Sequence, residues 1–93
     1  MSNATIIEKE ELGKFAFPSQ DVLGSTDDRK RRLTELSQAT SLGNLEHGKV
    51  RIRFMTTEGE HEVYTTIWHS DANHIVLKGG MSIPVRCILS VGI

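Results

Sequence analysis

The chain changes period at Gly48. Beyond it, apolar and charged residues alternate: Val50, Ile52 and Phe54 fall on one face of an extended segment and Arg51 and Arg53 on the other. That is the pattern of a half-buried strand. Thr57-Glu58-Gly59-Glu60 reads as a turn, and residues 61–68 are rich in the β-branched and aromatic types Val63, Tyr64, Thr65, Thr66, Ile67 and Trp68. The two segments predict a hairpin. Ser70-Asp71-Ala72-Asn73 is a second turn, residues 74–77 a third strand, and Lys78-Gly79-Gly80 a third turn leading into Met81-Ser82-Ile83. Pro84 interrupts the ladder, where a single-turn helix would accommodate its missing N–H. Residues 88–93 predict a closing strand.

Before Gly48 the spacing is helical. Ser25 or Thr26 can cap a first turn that carries Asp27 and Asp28 at the positive end of the helix dipole. Leu33, Leu36, Ala39 and Thr40 recur at three and four, and Gly43-Asn44 tolerates the left-handed conformation that ends a helix. A helix over 25–43 is predicted, too narrow in its apolar stripe to stand alone. Residues 1–24 are punctuated by Gly13, Pro18 and Gly24 and offer few regular options. Their apolar content, Ile6, Ile7, Leu12, Phe15, Phe17, Val22 and Leu23, is too high for a solvated tail. This arm is expected to pack on the domain or on a neighbouring subunit, with Phe15-Ala16-Phe17 extended ahead of Pro18.

One helix followed by four or five short strands predicts a mainly β, α+β domain spanning residues 1–93. Its sheet is a bent antiparallel barrel, or its rival, an open sheet with one covering helix. Gly79-Gly80 as a sharp corner and Pro84 between two strands favour the barrel. Three stretches, Gly48-Lys49-Val50-Arg51-Ile52-Arg53-Phe54, residues 73–80 and residues 83–91, with the turn at Gly59, resemble the small-barrel superfold shared by SH3-like and Sm-like domains. The preceding helix matches Sm-like domains, so the resemblance covers about two thirds of the chain. It implies a barrel of four or five strands, on a superfold that serves many functions.

Composition narrows the class. Ninety-three residues supply one core. With 38% hydrophobic and 25% charged residues the chain sits in the globular range, and its apolar runs are too short to span a bilayer, so no membrane partner is expected. The start lacks a basic leader and apolar core, which predicts a cytoplasmic location. Cys87 is the only cysteine, which removes disulfide frameworks and zinc ribbons and fits a reducing compartment. Eleven Lys and Arg against twelve Asp and Glu give a net charge of −1, which argues against a general polyanion coat. The sum hides unevenness: residues 1–24 carry −2, residues 25–44 carry +1, and residues 45–93 balance.

Candidate chemistry is sparse. His69, Asp71 and His74 cluster on a turn and are taken as exposed turn residues, not metal ligands; no metal or cofactor is expected. His47 and His61 stand among Glu46, Glu60 and Glu62. Ser70, Asp71 and His69 are sequence neighbours that point apart and cannot relay a proton. Cys87 reads as a small buried hydrophobe, and Gly79-Gly80 lacks the lysine and helix of a phosphate loop. No enzyme is expected. Arg29, Lys30, Arg31 and Arg32 spread around a helix in steps of roughly 100°, and Asp27 and Asp28 can pair with Arg31 and Arg32 at i, i+4, which makes a solvated face. Joined to Arg51 and Arg53, and to Tyr64, Thr66 and Trp68, the same run would form a basic, aromatic surface. The expectation is a non-enzymatic interaction module that binds a protein partner or itself through exposed strand edges. The alternative is RNA or single-stranded DNA binding through Arg29–Arg32, Arg51, Arg53, Tyr64 and Trp68. Against both stands burial of Tyr64 and Trp68 beneath the helix or the Phe15 arm.

Overall fold

Residues 4–92, the part of the chain that the computed structural model describes, form one long helix and seven strands in two sheets. In chain order these are β1 (Thr5–Ile6), α1 (Thr26–Glu46), β2 (Val50–Thr56), β3 (Gly59–Thr65), β4 (Ile67–Ser70), β5 (His74–Leu77), β6 (Ser82–Pro84) and β7 (Ile88–Gly92). Single 3-10 segments lie at Lys9–Lys14 and Val85–Cys87. The second is the short helix expected after Pro84. Residues 1–3 of the arm and Ile93 of the closing strand lie outside the described residues.

Alternation decides which face of each strand is buried. In the first sheet, ordered β1-β3-β2-β7, register places Ile52 between Val63 and Val91, and Phe54 between His61 and Ile88. In the second, ordered β4-β5-β6, Ile67 faces Leu77 and Ile75 faces Ile83. All these apolar side chains are buried in one cluster with Leu36 and Ala39 of α1. The predicted strand over 61–68 divides at Thr66, where Thr65, Thr66 and Ile67 are buried in succession and the period of two fails. β3 and β4 are therefore one path of chain that turns a corner between the sheets. This division, with the added β1, gives seven strands in two hydrogen-bonded sheets where four or five strands were expected.

The helix starts as read, with the Ser25 hydroxyl accepting the Asp28 N–H at 3.1 Å. Its end differs. It runs to Glu46, and His47, not Gly43-Asn44, takes the left-handed conformation, at φ 54°. The His47 N–H reaches the Gly43 carbonyl at 3.1 Å and the Gly48 N–H the Leu42 carbonyl at 3.5 Å, which satisfies the last turn. Gly43 serves instead as a point of close approach: a Cβ there would overlap the Ile67 carbonyl oxygen and meet Thr66 Cγ2 at 3.0 Å. Gly43→Ala is accordingly expected to cost about 1–3 kcal/mol by chemical denaturation, although alanine favours helix. An unchanged midpoint would show that α1 can slide off β4 freely. The buried stripe is also rotated from the expected one. Arg32, Leu36, Ala39 and Gly43 face inward, while Leu33 is 49% exposed.

The arm packs on its own domain. β1 runs parallel to β3, with Thr5 opposite His61 and Ile6 opposite Glu62. Leu12 is buried, the Phe15 ring lies 4.5 Å from that of His61, and Phe17 meets Phe54 at 6.3 Å between centroids. The Thr57 N–H donates to the Ala16 carbonyl at 3.0 Å, and Arg86 Nε to the Pro18 carbonyl at 2.7 Å. Among the described residues no helix is long and apolar enough to cross a membrane.

Candidate functional site

The outer face of the first sheet carries the residues that the alternation left out of the core. Register sets Arg51 directly across from Tyr64 on β3 and from Gly92 on β7. Neighbouring side chains in such a row stand about 5 Å apart at Cβ. Gly92 contributes no side chain, so the row opens into a shallow concavity of ≈ 310 Å³ lined by Lys49, Arg51, Tyr64 and Gly92. Tyr64 is 57% exposed, with Lys49 Nζ 5.8 Å and Arg51 Cζ 5.9 Å from its ring centroid. Both distances lie at the outer limit of cation–π contact, so each cation holds the ring weakly. A second concavity, of ≈ 240 Å³, shares Lys49 and Tyr64 and adds Lys9, Lys78, Glu8 and Glu10.

One row further along the same face, the cation is paired with carboxylates. Arg53 stands opposite Glu62, and its guanidinium contacts Glu62 at 3.3 Å and Glu60 at 3.5 Å. Arg51, one pleat away, has no carboxylate partner among the described residues, and neither do Lys9, Lys49 or Lys78. The face is therefore polarised: two carboxylates meet one guanidinium around Arg53, while cations are in excess around Tyr64. Arg53, expected to contribute to a basic surface, is paired within the sheet, because β3 supplies Glu62 directly across from it and Glu60 two positions away.

The run in α1 does not join this surface. Arg32 turns inward, 4% exposed, donating to both Asp21 oxygens at 3.0 and 2.7 Å and to the Ile88 carbonyl at 3.0 Å. It ties the arm, the helix and β7 together. Arg29 Nε donates to the Leu23 carbonyl at 2.8 Å. Arg31 pairs with Asp28 at 3.1 Å, at i, i+3. The expected i, i+4 pairing of Asp28 with Arg32 gives way because Asp21, from the arm, reaches the buried guanidinium first. Lys30 remains on the exposed side of the helix. The Arg32 hydrogen bond holds the Asp21 carboxyl below its ordinary pKa, aided by the Leu23 N–H and opposed by desolvation.

Tyr64 and Trp68, expected on one face with Thr66, are separated by the corner at Thr66. Thr66 is buried; Trp68 is 49% exposed but lies on β4, in the second sheet, where the register to β5 slips between Ile67 and His69. It lines neither concavity beside Tyr64. On the turn beyond, Asp71 Oδ1 accepts the Asn73 and His74 N–H groups at 2.7 and 2.9 Å, which lowers its pKa. His69 and His74 stand 3.6 and 3.7 Å from its oxygens. Asp71 is thus occupied in shaping the turn. Cys87 is buried, and desolvation raises its thiol pKa, which disfavours a nucleophilic thiolate.

Sequence reasoning found Arg51 and Tyr64 but missed Lys49, Lys9, Lys78 and the space left by Gly92. Lys49 was legible as one more outward position of the β2 alternation. Lys9 and Lys78 were not, since they arrive from the arm and from the β5–β6 turn. The chain matches no family model, no curated protein and no solved structure.

Proposed function

We propose that this protein is a non-enzymatic small-barrel interaction module that engages its partner through the outer face of the first sheet, centred on Tyr64. The observation that carries this reading is a large aromatic ring, 57% exposed, with Lys49 Nζ 5.8 Å and Arg51 Cζ 5.9 Å from its centroid, neither of which has a carboxylate partner among the described residues. Exposed aromatic and arginine side chains of this kind dominate binding surfaces. The barrel reading draws support from the path of β3 into β4 around Thr66 and from the 3-10 turn before β7. The non-enzymatic reading draws support from the occupation of the reactive side chains: Cys87 buried, His61 between Phe15 and Phe54, and Asp71 bonded within its turn.

Among protein–protein modes, pairing by strand edges has less to recommend it than the Tyr64 face. β1 lies along β3, Arg32 occupies the Ile88 carbonyl of β7, and β6 is three residues long and ends at Pro84. The partner favoured is therefore one that presents negative charge to this face. Backbone amide shifts provide the test, in a dilution series of the protein alone and in a titration with poly-glutamate. The largest movements are expected at Arg51, Tyr64 and Gly92. Shifts that cluster on the β6 or β7 edge instead, or at α1, would overturn the assignment of the face.

A further inference from the structure

The charge and shape around Tyr64 go further than an unspecified acidic partner. We infer that the Tyr64 face binds single-stranded nucleic acid, one base stacking on the Tyr64 ring and the flanking phosphates lying on Lys49, Arg51, Lys78 and Lys9. The inference rests on the preceding reading of this face as the binding surface, and names its ligand.

Three features select a phosphodiester strand over an acidic peptide. The first is the arrangement of charge. Tyr64 lines both concavities, and each holds cations: Arg51 in one, Lys9 and Lys78 in the other, and Lys49 in both. A strand crossing the ring meets positive charge before and after the stacked base. The second is the ring itself, which a glutamate side chain uses poorly but which any base can stack on, because every base has a π-face. The two cations near it, at 5.8 and 5.9 Å, hold it weakly and can move aside onto phosphates. The third is shape: the two concavities adjoin at Lys49 and Tyr64, which suits a backbone that tracks from one to the other. Glu8 and Glu10 also line the second concavity, where three lysines outnumber them. Glu60 and Glu62 are engaged by Arg53. A duplex offers no free base face, which makes the single strand the fitting form.

Fluorescence anisotropy of labelled oligouridine and oligothymidine, each of roughly twelve nucleotides, tests this with the full chain between about 50 and 200 mM KCl. Four contacts predict a slope of log K on log salt of roughly −3, from about −0.7 per phosphate neutralised on a single strand. Lys49→Ala with Lys78→Ala should halve that slope. Tyr64→Ala should weaken binding by about tenfold or more with the slope unchanged, while Tyr64→Phe, which keeps the ring, should stay within about threefold of wild type. Circular dichroism of Tyr64→Ala checks that the exposed substitution leaves the fold intact. The two oligonucleotides tell RNA from DNA as the source of the strand.

Binding that ignores Tyr64→Ala, or a blunt duplex bound as tightly as the single strands, would overturn the inference in favour of unspecific charge attraction. No oligonucleotide binding at low salt, together with poly-glutamate shifts at Arg51, Tyr64 and Gly92, would overturn the nucleic-acid ligand and leave the face as a protein-binding surface. No response to either probe would remove both.

Discussion

Asp21→Ala is expected to lower the unfolding free energy by about 3 kcal/mol, because it strands a buried guanidinium. The Arg32 side chain is 5% exposed, and two of its three hydrogen bonds end on Asp21. The figure sits at the lower end of the range for broken buried pairs because Asp21 is 21% exposed and water can follow into its place. Arg32→Met should cost less, since the released carboxylate is the better hydrated of the two. Urea denaturation of both single variants and the double variant measures the asymmetry. If Arg32→Met proved the costlier, packing of the arginine stem, and not the ion pair, would be what holds the arm to α1. The pH dependence has a definite sign. Asp21 titrates below its ordinary 3.8 in the folded protein, chiefly through the Arg32 hydrogen bond. Its contribution is therefore complete above that value and is lost as pH falls through the depressed folded pKa. The stability difference between wild type and Arg32→Met should be flat at neutral pH and shrink only in acid.

The second large effect is expected at Phe54. Its side chain is fully buried on β2, facing His61 at 5.9 Å and Phe17 at 6.3 Å between ring centroids. Phe54→Ala should cost about 4 kcal/mol, the transfer of the ring plus the cavity left behind. In a domain whose total stability is of order 5–15 kcal/mol, that is a large share. Because Phe15 rests on His61 and Phe17 on Phe54, the same change should free the arm. Amide exchange over residues 12–17 should then accelerate more than exchange over β5, as hydrogen exchange by mass spectrometry can resolve. Equal acceleration at both would mean that arm and sheets open as one unit.

Both predictions turn on residues that the pattern of the chain described unequally. Phe54 was legible: its alternation with Arg53 placed it inside, and it is inside. Arg32 was not. A charged residue in a basic run is solvated in most helices, and only the arrival of Asp21, eleven positions earlier, makes its burial tolerable. Leu33 was assigned to the core for the converse reason, since periodicity names a stripe but not which side of it the sheet will meet. The same limit applied to the binding face. Tyr64 and Trp68 share a parity along the strand, and parity loses its meaning at the corner where Thr65, Thr66 and Ile67 are buried together.

The sequence alone determined the matters that are local: where β2, β5 and β7 and the turns between strands fall, which side of β2 is apolar, where α1 begins, and that one cysteine cannot staple the fold. Each follows from a period or a cap written within a few residues. Only the tertiary structure decided which charges are paired. Arg53 is paired with Glu60 and Glu62 and Arg32 with Asp21, while Lys49 and Arg51 are left beside an exposed ring. Those outcomes depend on strand register and on how the arm and helix dock, relations between distant positions that no local pattern carries.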